Sequence, residues 1–261
     1  MEIAKDRFSG FSGLYDSVRP RPPKKICPMI LGIINRQSAD TVVDLGCGTG
    51  LSTEIWGGFA KRLIGIEPND DMIASARAKK GCAEFINSSS YETGLPEGTA
   101  DIVCCSQSFH WMEPVSTLKE VNRILKDDGL FAVWDCTWPV AVSVNSEIAY
   151  EALFDAVDEL ADKYADTLPV SRQWPKNQHL KNIADSGFFR YLREILFENT
   201  EECDADRFIG IALSQGHIQS LMKNGIKEIE KPIENFRTAV KNDIDGTRNM
   251  TVSYRMVIGF K

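Results

Sequence analysis

The feature that most constrains the fold is a turn of alternating glycines between an apolar run and an amphipathic segment. The β-branched run ends at Leu45, Gly46, Gly48 and Gly50 follow at every second position, and a helical pattern starts at Leu51. Glycine leaves the backbone free to adopt positive φ, and a helix N-terminus presents unpaired N–H groups. The stretch therefore predicts a strand, a tight loop and a helix that together bind the polar or anionic end of a ligand.

The glycine spacing and a downstream acid narrow the choice of ligand. The pattern is Gly-x-Gly-x-Gly, whereas a dinucleotide-binding turn has its third glycine one residue later. A second apolar run, residues 63–66, ends in Glu67. Such folds place a ribose-binding carboxylate roughly 20 residues past the glycines, where Glu67 lies. The two elements together predict a nucleoside-containing ligand and disfavour a nicotinamide-dependent oxidoreductase.

At this point the sequence resembles the class I S-adenosylmethionine (SAM) dependent methyltransferases. Residues 44–50, Asp-Leu-Gly-Cys-Gly-Thr-Gly, are similar to the first motif of that family, and Glu67 is similar to the acid that closes its second strand. The resemblance implies SAM as cofactor. It implies cofactor contacts at Asp44, Gly46, Gly48, Gly50 and Glu67.

The N-terminal arm supplies two more candidates through the same resemblance. In similar methyltransferases an aromatic arm ending in Tyr-x-x-x-Arg-Pro folds over the cofactor. Here Tyr15 becomes a candidate lid and Arg19 a candidate partner of the methionyl carboxylate, which a planar guanidinium suits. The alternative is that Tyr15 packs the arm against the core and Arg19 is a surface charge.

Four residues after the second and third predicted strands are further cofactor candidates. Pro68 begins the segment leading into a helix, and Met72 lies where related proteins set an apolar side chain against adenine. Ser89 and Ser90 follow the third strand, from which related proteins reach the adenine edge. The alternatives are that Met72 is a core residue at helical spacing and that the serines only form a turn.

The end of the fourth predicted strand is the candidate catalytic segment. Ligands of open α/β sheets gather outside the carboxyl ends of strands. Gln107, His110 and Trp111 match a Gln-x-x-His-Trp segment that borders the methyl-transfer pocket in methyltransferases related to trans-aconitate methyltransferase. Gln107 is thus a candidate for both catalysis and cofactor binding. The alternative is a partly buried histidine beside a core tryptophan.

The pattern of elements predicts an α/β fold with a doubly wound, Rossmann-like, seven-stranded sheet, mostly parallel with an antiparallel last strand, plus a helical cap. We expect residues 1–38 to form an arm and helix covering the cofactor, 39–138 the SAM-binding core, and 139–261 helical cap insertions with the last two strands. The resemblance extends to about residue 136 and is weakest in the cap.

Composition limits the partners. A formal charge of −7 and a pI near 5.2 argue against nucleic acid, and the basic run 19–25 has the character of a proline-stiffened connector. The seven cysteines form no C-x-x-C pair or metal-ligand spacing, so we expect no metal and a cytoplasmic protein. No apolar stretch approaches the roughly 18 residues of a membrane span, and no signal peptide is apparent. Oligomeric state is open.

These observations predict a SAM-dependent methyltransferase that methylates a small molecule on oxygen, with a carboxylate as one candidate acceptor. Positioning is nearly sufficient for a carboxylate, whereas a hydroxyl or amine would use His110 as general base. The sequence leaves these two roles open. It also leaves open a non-catalytic protein that retains the cofactor fold.

Overall fold

The computed structural model describes residues 17–79, 81–168 and 173–261. They divide into two compact units. The sheet unit comprises the described residues of 21–136, 172–197 and 254–261, and the helical unit comprises those of 1–20, 137–171 and 198–253. The prediction of an arm, a core and a cap stays a prediction.

A seven-stranded sheet organises the sheet unit. Its strands, in chain order, are β1 (Ala39–Leu45), β2 (Ala60–Ile66), β3 (Glu84–Ile86), β4 (Ala100–Ser106), β5 (Leu125–Cys136), β6 (Tyr191–Cys203) and β7 (Arg248–Phe260). The spatial order is β3-β2-β1-β4-β5-β7-β6, in which the first five strands run parallel and β7 pairs antiparallel with β5. This order confirms the predicted doubly wound, mostly parallel sheet.

Five short helices precede, connect or follow the parallel strands of the described sheet unit. They are α1 (Ile26–Ile33), α2 (Leu51–Glu54), α3 (Asp70–Ala78), α4 (Pro114–Ile124) and, after β5, α6 (His179–Asp185). Single 3-10 turns cover Phe109–Trp111 and Lys176–Gln178. The start of α4 shows why the sequence begins a helix there, because Glu113 accepts the N–H groups of Val115 and Ser116 and Pro114 needs no N–H partner.

The core of the sheet unit lies around the central strands. Every residue of β1 from Thr41 onward and every residue of β4 before Ser106 is buried. Strands covered on both faces are continuous apolar runs, which is the pattern of β4 in the sequence. On one face, Phe109 packs edge-on against Phe131 with ring centroids 5.7 Å apart. The loops that follow β1 and β4 therefore start from buried, closely packed strands.

The helical unit packs four helices around an aromatic centre. Its helices are α5 (Val144–Lys163), α7 (Ala205–Leu213), α8 (Gly216–Lys223) and α9 (Glu230–Asp243), with a 3-10 turn over Lys227–Ile229. Tyr150, Phe208 and Phe236 contact one another across three helices, with centroids 6.0–6.4 Å apart. Among the described residues, no helix is long and apolar enough to cross a membrane.

Two helical patterns of the sequence correspond to shorter helices in the structure. The pattern that starts at Leu51 continues in the sequence with Ile55 and Phe59, but the helix ends at Glu54, because two glycines intervene and Gly58 has φ +85°. The apolar pattern over residues 204–222 forms two helices, α7 and α8. Between them the backbone of Gln215 is extended, with φ −71° and ψ 135°.

Candidate active site

The predicted glycine loop joins β1 to α2 with all three glycines in the left-handed region. Their φ values are +66° at Gly46, +55° at Gly48 and +87° at Gly50. A Cβ on Gly46 would lie 2.6 Å from that of Ser108. Apart from its two chain neighbours, no described residue has a heavy atom within 4 Å of a Cβ built on Gly48. Gly46 therefore permits close packing, whereas a Cβ at Gly48 would meet no described residue beyond its chain neighbours.

Asp44 closes β1 beneath this loop and is fully buried. Its Oδ2 accepts the hydroxyls of Ser52 at 2.6 Å and Thr53 at 2.7 Å, the first turn of α2. Burial raises the pKa of the Asp44 carboxyl to about 6, against the opposing effect of these hydrogen bonds. The residue thus holds the helix against the loop.

Glu67 follows β2 and connects two backbone segments. Its Oε2 accepts the N–H of Gly48 at 3.0 Å and its Oε1 accepts the N–H of Asn69 at 2.9 Å. Asn69 in turn caps α3 by accepting the N–H of Met72 at 2.9 Å. Pro68 lies between Glu67 and Asn69 in the sequence and is half-buried. Met72 is buried on α3.

The serines after β3 occupy different environments. Ser90 is buried and shares a 2.9 Å hydrogen bond with the hydroxyl of Thr117 on α4. Ser89 is half-buried and forms an isolated bridge with Glu92. Their assignment to the adenine end of a cofactor stays a prediction.

The segment after β4 is held by its backbone. Gln107 has φ +56°, a conformation unfavourable for a residue with a Cβ, and its N–H donates to the Trp134 carbonyl at 2.9 Å. Its side-chain amide donates to the Cys136 thiol. His110 is buried in the 3-10 turn, and its ring centroid lies 5.0 Å from that of Trp111. Gln107, His110 and Trp111 thus start from the carboxyl end of β4, as predicted.

Sequence reasoning missed Asp135, the partner of His110, and the two residues that also contact Asp135. Asp135, at the end of β5, lies with its Oδ1 3.1 Å from His110 Nδ1 and with its Oδ2 2.9 Å from His179 Nε2. Lys176 places its Nζ 3.3 Å from the same Oδ1. An acid after the apolar run 130–134 was the available signal for Asp135. Nothing in the sequence linked His179, in a segment assigned to the cap, to His110.

The arm contributes two predicted site residues, Tyr15 and Arg19. Tyr15 lies outside the described residues. Arg19 belongs to the helical unit, where its guanidinium donates to the Ser214 carbonyl at 3.2 Å and lies 5.0 Å from the centroid of the Trp138 ring. Its predicted pairing with a methionyl carboxylate stays a prediction.

The sheet order, the glycine loop and the acid after β2 together define the class I methyltransferase fold. Residues 43–133 match the family model described as a methyltransferase domain. This part of the chain therefore matches a methyltransferase domain, in agreement with the family resemblance drawn from Asp44–Gly50 and Glu67.

Known proteins agree with this assignment. The chain is 28% identical over 130 residues to the probable S-adenosylmethionine-dependent methyltransferase CRG1 of Saccharomyces cerevisiae, a match covering 47% of this chain and 44% of that protein. The chain spans about half the length of the curated relatives it matches, with 48%, 44% and 49% of three of them covered.

Two solved structures share the fold. A candidate type II methyltransferase of Anaeromyxobacter dehalogenans superposes with a TM-score of 0.67 at 17% identity, covering 93% of this chain and 97% of that one. Phosphoethanolamine N-methyltransferase 2 of Haemonchus contortus, solved with phosphomonomethylethanolamine and S-adenosylhomocysteine, gives a TM-score of 0.55 at 13% identity, covering 99% of this chain and 59% of that one.

Proposed function

We propose that this protein transfers a methyl group from SAM to the oxygen of a small-molecule acceptor. The observation that carries the proposal is the pairing of Gly48 with Glu67. Among the described residues only its chain neighbours approach a Cβ built on Gly48, after the carboxyl end of β1, and Oε2 of Glu67 lies 3.0 Å from the Gly48 nitrogen. An open backbone beside a fixed carboxylate is the chemistry that the ribose and methionine parts of SAM require.

The residues present fit SAM. A carboxylate has about four acceptor positions, so Glu67 can accept ribose hydroxyls in addition to the two backbone N–H groups it already takes. Bare backbone at Gly48 lets a ligand approach without meeting a side chain. Glu67, Gly46, Gly48 and Gly50 would therefore hold the cofactor, with Asp44 supporting the loop from below.

When bound, SAM supplies an activated methyl group, so the protein needs chiefly to orient an acceptor and keep water away. The segment carrying Gln107, His110 and Trp111 starts from β4, the strand next to β1. We assign the acceptor pocket to this segment. Two kinds of oxygen acceptor are compatible with it. A carboxylate would be held by donors, and a hydroxyl would lose its proton to His110.

The function is tested by incubating the protein with methyl-labelled SAM and a library of small acids, phenols, alcohols and amines, followed by mass spectrometry. The proposal expects a labelled methyl ether or ester together with S-adenosylhomocysteine. Cofactor binding without any labelled product from the library would instead favour a non-catalytic protein that retains the fold. Binding of NADH in preference to SAM would overturn the proposal.

A further inference from the structure

A buried carboxylate joins two histidines at the end of β5. The side chains of His110, Asp135 and His179 retain only 8%, 7% and 5% exposure. Asp135 faces His110 with one oxygen, at 3.1 Å, and His179 with the other, at 2.9 Å. The three residues come from the turn after β4, from β5 and from α6, all within the sheet unit. Each of these elements therefore brings one member to the same buried position.

The protonation state of Asp135 is set by its neighbours. Burial would raise the pKa of the Asp135 carboxyl, but the two histidines and the charge of Lys176 hold it far below its usual range. Burial lowers the pKa of His110, although Asp135 acts in the opposite direction, and Lys176 and His179 lower it further. At neutral pH Asp135 is thus an anion, and His110 beside it is neutral.

Asp135 favours one tautomer of His110 through its charge. Oδ1 of Asp135 lies 3.1 Å from His110 Nδ1, although the two atoms are not aligned for a hydrogen bond. Because a carboxylate attracts an N–H group and repels a lone pair, the neutral ring is expected to keep its proton on Nδ1. Nε2 then carries the lone pair. The backbone of the same residue is fixed as well, because its carbonyl accepts the N–H of Trp174 at 2.8 Å. A neutral imidazole with a fixed basic nitrogen is the form a general base needs.

On the basis of the proposed methyl transfer, we infer that Asp135 and His179 are positioning residues that hold His110 as general base, and that the acceptor is a hydroxyl. Nε2 of His110 takes the hydroxyl proton while the O–CH₃ bond forms and the S–CH₃ bond breaks. The products are a methyl ether, S-adenosylhomocysteine and imidazolium, whose proton then passes to water. Asp135 stabilises the imidazolium across the contact to Nδ1.

Charge also separates a hydroxyl from the other acceptors. A carboxylate acceptor is already ionised at neutral pH and has no proton for His110 to remove, and it would bring a second anion beside Asp135. An ammonium acceptor would add a cation where Lys176 already lies 3.3 Å from Asp135. A neutral hydroxyl enters without adding charge beside the buried Asp135 carboxylate.

A metal ion is the competing occupant, since ligand atoms of the three residues lie within 4.8 Å of one another. The ammonium of Lys176, 3.3 Å from Asp135 Oδ1, opposes a second cation at the same carboxylate. The cluster therefore favours a proton-handling role over metal binding.

The tautomer of His110 tests the inference without any acceptor. The chain has three histidines, His110, His179 and His217, so ¹⁵N-histidine labelling gives few signals, which single substitutions assign. We expect His110 at pH 7 to be neutral with its proton on Nδ1, and Asp135→Asn to shift it toward the Nε2–H form. A wild-type Nε2–H tautomer, or displacement of both buried histidine signals by equimolar Zn²⁺, would overturn the inference.

Activity supplies the second test. With labelled SAM, we expect products from phenols or alcohols and none from carboxylic acids. Asp135→Asn should lower kcat by about 10²-fold or more, while its affinity for S-adenosylhomocysteine stays within about twofold of the wild-type value. In the wild type, log kcat should rise with pH with unit slope until His110 is neutral. Methyl esters as the main products would overturn the acceptor assignment. Failure of the wild-type protein to bind SAM or S-adenosylhomocysteine would instead refute the proposed function. It would leave the result on the His110 tautomer unaffected.

Discussion

Oε2 of Glu67 lies 3.0 Å from the backbone nitrogen of Gly48 and accepts its N–H. The two residues are 19 positions apart. Gly48 follows β1 and Glu67 follows β2, the neighbouring parallel strand. The acid after β2 is therefore built into the glycine loop after β1. The same carboxylate orders the backbone before α3 through Asn69, so the elements of the proposed cofactor site form one hydrogen-bonded unit.

Replacing Glu67 with alanine should weaken S-adenosylhomocysteine binding by roughly 1–3 kcal/mol, because charge-assisted hydrogen bonds to the ribose are lost. Isothermal calorimetry measures the change. Glu97→Ala, in an exposed turn of the same unit, is the matched control and should bind as the wild type does. Unchanged affinity in Glu67→Ala, with circular dichroism showing a folded protein, would remove Glu67 from the site.

A pair of glycine substitutions separates backbone strain from ligand contact. Gly48 and Gly94 have φ of +55° and +76°, and no described residue lies within 4 Å of a Cβ built on either. Alanine at each should therefore cost about 1–2 kcal/mol of folding stability. Only Gly48→Ala should also lose about tenfold or more in S-adenosylhomocysteine affinity. Equal affinity in the two variants would contradict the placement of the cofactor against Gly48.

Asp44 makes a testable pH contribution to stability. Burial raises the pKa of Asp44 in the folded state to about 6. Between about pH 4 and pH 6 the carboxyl is therefore protonated in the folded state and ionised in the unfolded state. The stability this provides is fully present below about pH 4 and is lost as pH rises through 6. Relative to Asp44→Asn, the wild type should therefore lose roughly 2–3 kcal/mol from pH 4 to 7. Urea unfolding of both proteins across this range measures the difference, and a constant difference would show that Asp44 has an ordinary pKa.

Asp101 anchors the start of β1. Its side chain is 2% exposed and accepts the N–H groups of Asp40 and Thr41, while Arg36 and Lys126 pair with it. Asp101→Ala leaves these donors without an acceptor and should lower the free energy of unfolding by about 3 kcal/mol. The neighbouring Asp40 is largely exposed, so Asp40→Ala should leave the urea midpoint nearly unchanged. Similar losses in both variants would contradict this assignment.

The fold was predictable because each strand of the core carries a strong local signal. The buried run of β4, the glycine turn after β1 and the caps of α3 and α4 depend on residues close together in sequence. The break at Ser214 was not predictable from periodicity, since apolar residues continue at helical spacing on both sides. There the backbone of Gln215 is extended, a conformation that apolar spacing does not encode.

The candidate site was predictable in part for the same reason. Gly48 and Glu67 fall on neighbouring parallel strands, whose ends necessarily meet at one edge of the sheet. His110 could be placed at the end of β4, but no periodicity indicates that it shares Asp135 with His179, which lies 69 residues further along the chain. Asp135, the residue between them, has a sequence signal only as an acid at the end of an apolar strand.

The most direct test of the central claim is calorimetric titration of the folded protein with S-adenosylhomocysteine, with NADH titrated in parallel. We expect the wild-type protein to bind S-adenosylhomocysteine saturably and not to bind NADH. Glu67→Ala and Gly48→Ala should each weaken the binding of S-adenosylhomocysteine. Failure of the folded wild-type protein to bind either SAM or S-adenosylhomocysteine would contradict the account.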